Sequence, residues 1–258
     1  MIEALRELVA FREVLLVLVW RDLKARYRGS VLGFLWTFLN PLLLIVIYSL
    51  VFSVYMRVEI PAYPVFVFAG LLPWIWFSSA MLSGANSIIE GGGLIKRVAF
   101  PPQVLPVVSV TATLVNFLLG LPILLAFVVW SGPPVGWPLL ALPLVIAAQY
   151  VFTVGLAVGL AMLTVRYRDL HQLLGNVLTL WFFLTPVLYP ASMVPASFQP
   201  LLVLNPMAVL VTAFQSVLYH GQAPAAGHLA VVATDALLVF ALGLALCQRL
   251  RWELVEDV

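Results

Sequence analysis

Apolar residues run through this chain in long stretches, and polar residues collect in short clusters between them. A helix needs about 20 largely apolar residues to cross the hydrocarbon core of a bilayer. Gly91-Gly92-Gly93 is expected to break the chain after the second such stretch. The pattern predicts an all-α polytopic membrane protein, one domain over residues 1–258, with six transmembrane helices over residues 31–55, 65–83, 104–130, 139–165, 170–188 and 230–250.

The basic residues give these helices an expected orientation. Of the 13 Lys and Arg residues, all except Arg57 can be placed on one side of the membrane. Lys and Arg near the ends of spans stay on the cytoplasmic side. We therefore expect both termini in the cytoplasm. The cations on that side are Arg6, Arg12, Arg21, Lys24, Arg26, Arg28, Lys96, Arg97, Arg166, Arg168, Arg249 and Arg251.

Two segments are expected to lie at the membrane without crossing it. Charged and apolar positions alternate at helical spacing over residues 2–20, which predicts an amphipathic interfacial helix within a cytoplasmic segment, residues 1–28. Residues 201–219 are apolar too, but a seventh crossing would place the C-terminal cations outside. Asn205-Pro206 also interrupts them. We therefore expect residues 191–227 to form a re-entrant helical element on the extracytoplasmic face.

Composition and motifs argue against several classes of protein. The chain is 64% hydrophobic and 9% charged, whereas soluble domains are about 25% charged. Its charges flank apolar stretches and form no basic stripe, so nucleic acid is not an expected partner. The single cysteine, Cys247, allows no internal disulfide. The sequence contains no phosphate-binding loop, zinc-protease motif or serine-hydrolase motif, so we expect no catalytic centre, cofactor or metal site in this chain.

Asp235 is the one charge expected inside a span. Carriers driven by an ion gradient usually place several ionisable residues near the middle of the membrane. A single carboxylate inside the spans therefore favours a membrane protein whose movement is driven by a separate energy-supplying protein. Asp235 itself is interpreted as a structural hydrogen-bond partner, with a place on a transport pathway as the alternative.

Several short motifs follow one another in the order typical of a known family. They are Arg21-Asp22-Leu23-Lys24-Ala25-Arg26-Tyr27-Arg28, Asn40-Pro41-Leu42, Lys96-Arg97-Val98-Ala99-Phe100-Pro101, Arg166-Tyr167-Arg168-Asp169-Leu170, Phe182-Phe183-Leu184-Thr185-Pro186-Val187-Leu188-Tyr189-Pro190 and Asn205-Pro206-Met207. Together they span nearly the whole chain, and the chain resembles the ABC-2-type permeases, most closely the branch that exports O-antigen polysaccharides and teichoic acids. Two positions depart from the family: Pro102-Gln103 replaces a frequent basic–acidic pair, and Gln215 replaces a common Arg.

The resemblance implies a homodimer with six spans in each copy, docked on a separate dimeric ABC ATPase that holds ATP and Mg²⁺. Such an exporter would move a lipid-linked polysaccharide from the cytoplasm across the bacterial inner membrane, as in lipopolysaccharide biosynthesis. An ABC-2 exporter of a small lipid or drug is the alternative. A membrane enzyme acting on prenyl-linked sugars would need a carboxylate pair or metal motif, and a passive channel would need no ATPase. Two glycine pairs provide small-residue faces on which helices can pack closely: Gly29-x-x-x-Gly33 and Gly155-x-x-x-Gly159. Such faces are used more often for packing within one chain than for packing between two copies.

Three groups of residues are candidate functional sites. Contact with the ATPase is expected at cytoplasmic positions of mixed charge: Glu90, Lys96, Arg97, Phe100, Arg166, Tyr167, Arg168 and Asp169. Aromatic rings stack on the C–H faces of sugars, which suggests a transport path along Trp36, Tyr48, Trp74, Trp76, Phe77, Tyr150, Phe152, Trp181, Phe182, Phe183 and Tyr189. A lipid diphosphate favours cations at the substrate entrance, where Arg26 and Arg28 are the nearest. The simpler interpretation of the charged residues is that they fix the orientation of the chain in the membrane. The simpler interpretation of the aromatic residues is that they form interfacial belts or pack in the core.

Overall fold

Helices are the regular secondary structure of the described part of the chain. A computed structural model describes residues 2–28, 33–57, 59–97, 100–131 and 136–250, and these residues form no strand. The α-helices in them are α1 Ile2–Ala10, α2 Arg12–Tyr27, α3 Trp36–Ser49, α4 Tyr63–Arg97, α5 Val104–Ser131, α6 Leu142–Arg166, α7 Leu170–Phe183, α8 Gln199–Leu204, α9 Pro206–Leu218 and α10 Ala226–Leu250. Short 3₁₀ helices cover Gly33–Leu35, Trp137–Ala141 and Ala191–Met193, and a π-helix covers Leu50–Tyr55. The predicted all-α class is confirmed.

Among the described residues, five helical stretches are long and apolar enough to cross a membrane. They are Trp36–Tyr55, Tyr63–Leu94, Val104–Trp130, Trp137–Arg166 and Ala226–Leu250. The stretch predicted as a further helix, residues 170–188, is different, because α7 has 14 residues and ends at Phe183. Pro186 follows, and a proline lacks an N–H and keeps the residue before it out of the helical conformation. The prediction of one continuous helix over residues 170–188 is therefore wrong.

The predicted break at Gly91-Gly92-Gly93 is also wrong, because α4 continues through these residues to Arg97. A glycine weakens a helix by about 1 kcal/mol relative to alanine, and here tertiary packing compensates. Gly91 lies so close to Leu105 of α5 that a Cβ atom at this position would overlap the leucine side chain. The missing side chain lets two long helices approach each other.

The N-terminal segment forms two helices rather than the single amphipathic helix predicted over residues 2–20. The chain turns at Phe11, between α1 and α2. Leu18, Val19 and Leu23 of α2 are buried against the first turns of α5, whereas Leu16, Val17 and Trp20 of the same helix are exposed. The prediction of one helix over residues 2–20 is therefore wrong, whereas the interfacial position of this segment stays a prediction.

Helix α4 occupies the centre of the bundle and contacts α3, α5, α6, α7 and α9. In an 18-residue apolar window of Tyr63–Leu94, 78% of the residues are buried, whereas in the corresponding window of Trp36–Tyr55 the share is 11%. Phe66, Phe68 and Phe77 of α4 are among the largest fully buried side chains. Helix α3 therefore lies on the outside of the bundle, with most of its apolar surface uncovered.

Helices α6 and α10 approach each other through glycine. A Cβ atom on Gly243 would overlap the carbonyl oxygen of Gly155, and a Cβ atom on Gly155 would lie 2.6 Å from the backbone nitrogen of Phe240. Such backbone contact is typical of small residues at helix interfaces in membranes. The prediction that Gly155-x-x-x-Gly159 is used for packing within the chain is confirmed for this pair of helices. Gly29 lies outside the described residues.

The first and last helices meet at one end of the bundle. The buried side chain of Gln103, just before α5, donates from Nε2 to Glu7 Oε2 of α1 at 2.6 Å. Cys247 Sγ of α10 donates to Gln103 Oε1 at 3.5 Å. Gln103 thus connects α1, the start of α5 and the last part of α10 at the same end of the bundle.

Candidate functional site

A short non-helical segment, residues 184–188, follows α7 and is the least regular part of the core. Thr185, Pro186, Val187 and Leu188 are all buried. Non-helical backbone between apolar helices needs partners for its polar groups, because there is no water to provide them. Three carbonyl groups of this segment accept hydrogen bonds from side chains far away in the sequence.

The three donors come from α4, α9 and the residue before α9. The hydroxyl of Tyr63 donates to Leu188 O at 2.8 Å. Gln215 donates from Nε2 to Pro186 O at 3.0 Å. Asn205 donates from Nδ2 to Leu184 O at 3.2 Å. Side chains thus replace the helical hydrogen bonds that this segment lacks, and they hold it against α4 and α9.

Asn205 connects this segment with the helices around it. It lies between α8 and α9 in an extended conformation, and its Oδ1 accepts from the backbone N–H groups of Met207 and Ala208. This is the usual N-cap arrangement. The same oxygen accepts from Trp181 Nε1 at 2.7 Å, and Nδ2 also donates to Thr185 Oγ1 at 3.2 Å. The predicted interruption at Asn205-Pro206 is confirmed, because α8 ends at Leu204 and α9 begins at Pro206.

Three of the predicted path residues line one groove between α3, α4 and α7. The groove has a volume of about 300 Å³, and Tyr48, Trp74 and Phe182 form its aromatic wall. The ring centroids of Tyr48 and Phe182 are 6.3 Å apart, and those of Trp74 and Phe182 are 5.5 Å apart. Ser78 and Thr179 add two hydroxyl groups to the lining. The groove therefore offers flat apolar faces with few polar groups.

The other predicted aromatic residues lie elsewhere. Phe77 and Phe152 stack on each other in the core, with ring centroids 6.0 Å apart. Trp76 is buried against Phe117, and Tyr150 shares a 2.8 Å hydrogen bond with Thr111. The structure therefore does not bring all these rings to one surface.

The remaining path candidates lie near the end of α7 and at the start of α3. Trp181 is bound to Asn205. Phe183 is exposed, and the hydroxyl of Tyr189 donates to Phe183 O at 2.8 Å. Partial burial raises the pKa of the Tyr189 hydroxyl. Trp36 is half exposed and lines a separate cavity.

The candidates for ATPase contact fall into two environments. Arg166, Tyr167, Arg168 and Asp169 are all exposed in the turn between α6 and α7, where the Arg166 guanidinium lies 5.9 Å from the centre of the Tyr167 ring. Glu90 is exposed on α4 and accepts from Asn86 Nδ2 at 2.9 Å.

The ring of Phe100 is buried against α2 and α5. Lys96 and Arg97 belong to α4, but their side chains are outside the described part. The surface that the structure describes at these positions therefore consists of Glu90 and the turn of residues 166–169.

The two cations predicted at a substrate entrance lie at the end of α2. Arg26 donates from Nε to Asp22 Oδ2 at 2.9 Å, and 30% of its side chain is exposed. It lines the cavity that Trp36 and Trp76 also line. Arg28 caps α2 with its backbone and is exposed. The structure thus brings Arg26, but not Arg28, to a cavity wall.

Asp235 is partly buried in α10. It forms no hydrogen bond or ion pair with another residue of the described ranges, so a structural partner within this part of the chain is not found. The described residues also contain no group of three or more His, Cys, Asp or Glu side chains that could hold a metal ion.

The buried amides were not among the residues predicted to be functional. Gln149 is fully buried in α6 and donates from Nε2 to Pro73 O at 2.8 Å. Gln103 and Gln215 are buried as well. A single Gln inside an apolar stretch indicates a buried hydrogen bond, because a buried amide needs a partner. Its partner cannot be identified from the sequence.

Comparisons with known proteins agree with one another. A family model described as ABC-2 type transporter matches residues 13–219. The chain is 43% identical over 260 residues to the O-antigen export system permease protein RfbA of Myxococcus xanthus, covering 100% of both chains. It is 32% identical over 246 residues to the protein of the same name from Klebsiella pneumoniae, covering 95% of this chain and 94% of that one. The polysialic acid transport protein KpsM of Escherichia coli is 24% identical over 231 residues, covering 88% and 89%.

Proposed function

Because the chain belongs to the ABC-2 type transporter family, we propose that it is the membrane-spanning permease subunit of an exporter of lipid-linked polysaccharide. Similarity over the full length of a protein named as an O-antigen export permease carries this proposal. The energy would come from ATP and Mg²⁺ bound by a separate ABC ATPase. An exporter of a small lipid or drug is the second candidate.

The aromatic groove supports a polysaccharide as the substrate. Tyr48, Trp74 and Phe182 offer stacked and tilted rings, and the groove has few polar side chains that would bind a sugar tightly. Sugars have apolar C–H faces as well as hydroxyl groups, so such a wall contacts a moving polymer without holding it. We place the transport path along this groove rather than along the buried rings of Phe77 and Phe152.

A second copy of the chain would close this groove. Helices α3 and α7 border it, and both expose large apolar side chains, such as Val46 and Ile47 of α3 and Leu180 of α7. We propose that two copies pack with these helices facing each other in the inner membrane and enclose the path. The remaining apolar surface would contact lipid.

We propose six crossings of the membrane for each copy, with both termini in the cytoplasm. An even number of crossings agrees with the contacts of Gln103, because Glu7 of α1 and Cys247 of α10 lie at one end. The fifth crossing would consist of α7 and the non-helical residues 184–188. The sixth is α10. The positive-inside rule then places the basic ends in the cytoplasm.

The segment of residues 191–227 would enter the membrane from outside and return. Asn205 contacts Trp181 within α7, whereas the Tyr219 hydroxyl at the end of α9 donates to Pro61 O in the turn before α4. Helix α9 therefore runs from the inside of the bundle towards that turn. Its environment supports a re-entrant element, because 10 residues of α9 are buried by the protein and non-helical backbone beside it is shielded.

The exposed turn of residues 166–169 and Glu90 are the proposed contacts with the ATPase. They carry both signs of charge on the surface. If these residues only fixed the orientation of the chain in the membrane, Lys and Arg would be sufficient, because acidic residues contribute little to orientation. We include Lys96 and Arg97 among the proposed contacts because they lie at the end of α4.

Depletion of the chain in its native host tests this function. If it exports polysaccharide, surface polysaccharide is lost and lipid-linked glycan accumulates on the cytoplasmic side. Wild-type chain together with an active ATPase partner restores export, whereas a partner unable to hydrolyse ATP does not. Unchanged surface polysaccharide would contradict the proposal and favour the small-lipid or drug exporter.

A further inference from the structure

A polar cavity lies at the segment of residues 191–227, between the 3₁₀ helix Ala191–Met193, α8, α9 and the first turn of α10. Its volume of about 370 Å³ is in the range of small-molecule sites, about 300–1,000 Å³. The cavity shares no lining residue with the aromatic groove. In the proposed topology this segment enters from the extracytoplasmic side, so the cavity would open on that side.

The lining of this cavity is polar without Asp, Glu, Lys or Arg among the described residues. The remainder of the lining consists of Ala, Leu and Val. The polar side chains on α9 are half-buried, and the other polar side chains are exposed, so the cavity is open on one side. Five polar side chains line it: Ser192, Gln199, Thr212, Ser216 and His228.

The wall formed by α9 presents hydrogen-bond acceptors. Thr212 and Ser216 are one helical turn apart, and both line the cavity. Each hydroxyl donates its proton within the helix, Thr212 to Ala208 O and Ser216 to Thr212 O, both at 2.8 Å. A hydroxyl that donates in this way still has lone pairs that accept from a ligand. Gln215, the remaining polar residue of α9, is engaged with Pro186 O.

The opposite wall adds donors as well as acceptors. The hydroxyl of Ser192 and the imidazole of His228 have no hydrogen-bond partner in the part of the chain that the structure describes. Gln199 donates from Nε2 to Val194 O at 3.3 Å, so a second N–H and the amide oxygen are left for a ligand. A serine hydroxyl and a neutral imidazole each offer one donor and an acceptor.

A sugar fits both walls better than an ion or a hydrocarbon chain does. Sugar hydroxyl groups donate and accept, and the C–H faces of the ring match the Ala, Leu and Val surfaces. An anion has no proton for the acceptors on α9, and neither Lys nor Arg lines this cavity to balance its charge. A cation would lack the carboxylates that usually bind it. A hydrocarbon chain would deprive the polar side chains of water, which is costly.

We propose that this cavity, which we call the exit cleft, binds a sugar unit of the exported polymer through Gln199, Thr212 and Ser216. The inference rests on the proposed function, which supplies a polysaccharide on the extracytoplasmic side. The aromatic groove would guide the polymer across the membrane, and the exit cleft would hold a sugar that has already crossed. A sugar held there would oppose the return of the polymer.

Binding of short oligosaccharides to the purified chain in nanodiscs tests the exit cleft. The oligosaccharides are cut from the surface polysaccharide of the host, freed of lipid and labelled with a fluorophore. Thr212→Val keeps the shape of the side chain and removes the hydroxyl, and is expected to weaken binding about threefold to tenfold, as for the loss of a hydrogen bond. Ser192→Ala, an exposed substitution that should leave the fold intact, is expected to weaken binding about threefold.

Thr234→Val is the matched control for Thr212→Val. Thr234 of α10 also donates to the carbonyl group four residues earlier, Ala230 O at 2.8 Å, but it lies outside the cleft. Its binding should stay within about twofold of the wild type. Wild-type binding by both Thr212→Val and Ser192→Ala would overturn the site. Loss of binding only in Phe182→Leu would assign the oligosaccharide to the aromatic groove and would also overturn it.

Two competitors separate the classes of ligand. An unlabelled monosaccharide from the same polysaccharide should displace the labelled oligosaccharide from the wild type. Inorganic phosphate at the same concentration should not. Displacement by phosphate as strong as by the sugar would show an anion site and overturn the proposal.

The side of the membrane can be tested with Ser192→Cys, because the native Cys247 is 1% exposed. A maleimide that does not cross membranes is expected to label this variant in intact spheroplasts, and the oligosaccharide is expected to slow the labelling. Labelling only after lysis would overturn an exit site.

The exit cleft and the function can fail separately. Unchanged surface polysaccharide after depletion of the chain overturns the function, whatever the cavity binds. Loss of surface polysaccharide after depletion, together with wild-type oligosaccharide binding by Thr212→Val and Ser192→Ala, overturns the exit cleft and leaves polysaccharide export standing.

Discussion

The hydroxyl group of Tyr63 allows a clean test of how residues 184–188 are held. It donates to Leu188 O at 2.8 Å, and Tyr63 and Leu188 are 2% and 5% exposed. Tyr63→Phe removes the donor but keeps the ring, which packs on Phe66 at 6.2 Å between centroids. Without the hydroxyl, the carbonyl group stays buried and lacks this donor.

The expected loss of stability follows from that carbonyl group. Leaving a buried acceptor unpaired costs about 1–3 kcal/mol, and measured side-chain hydrogen bonds in a membrane protein reach about 1.7 kcal/mol. We therefore expect about 1–2 kcal/mol. A chain of this size loses about 2–4 °C in Tm per kcal/mol, so thermal unfolding in detergent should shift by about 2–8 °C.

Tyr55→Phe is the matched control for this measurement, because Tyr55 is 72% exposed. Its Tm should stay within about 1 °C of the wild type, as for most exposed substitutions. Equal shifts for Tyr63→Phe and Tyr55→Phe would refute the reasoning. Adding Gln215→Leu to Tyr63→Phe removes the donor to Pro186 O as well. The combined loss of stability should differ from the sum of the two single losses, because both donors hold one segment.

Two further predictions concern packing and capping. Gly243→Ala places a methyl group against the carbonyl oxygen of Gly155 and should destabilise the chain by about 1–3 kcal/mol, measured by thermal unfolding, whereas Gly227→Ala, with open space around it in the same helix, should not. Asn205→Ala removes the cap of α9 and the partner of Trp181, with an expected loss of about 1–2 kcal/mol. Asn205→Asp keeps the accepting oxygen and should recover part of this loss; equal unfolding of the Ala and Asp variants would contradict the capping role.

The helical class and most of the long helices could be predicted from the sequence because both depend on local composition. Length and apolar character identify α5 and α10 without knowledge of their neighbours. The glycine spacing of Gly155 similarly predicted a close helix contact. The break at Asn205-Pro206 was predictable because proline limits its own backbone and that of the residue before it.

The errors arose where distant residues decide the local structure. Helix α4 continues through Gly91 because Leu105 of α5 packs against it. The helix over residues 170–188 ends early, before Pro186, and its last residues can be buried without helical hydrogen bonds because Tyr63 and Gln215 donate to their carbonyl groups. A single sequence contains these residues but not their proximity. For the same reason it could not separate Phe182, at the groove, from the buried Phe77.

Transport by the purified complex in proteoliposomes tests the central proposal most directly. The chain is reconstituted with its ATPase partner so that the ATPase faces the bath, and a labelled lipid-linked polysaccharide is added. If the chain exports polysaccharide, ATP makes the polymer inaccessible to a glycosidase in the bath, and a partner unable to hydrolyse ATP abolishes this protection. ATP hydrolysis without protection of the polymer, together with ATP-dependent movement of a small lipid, would contradict the account.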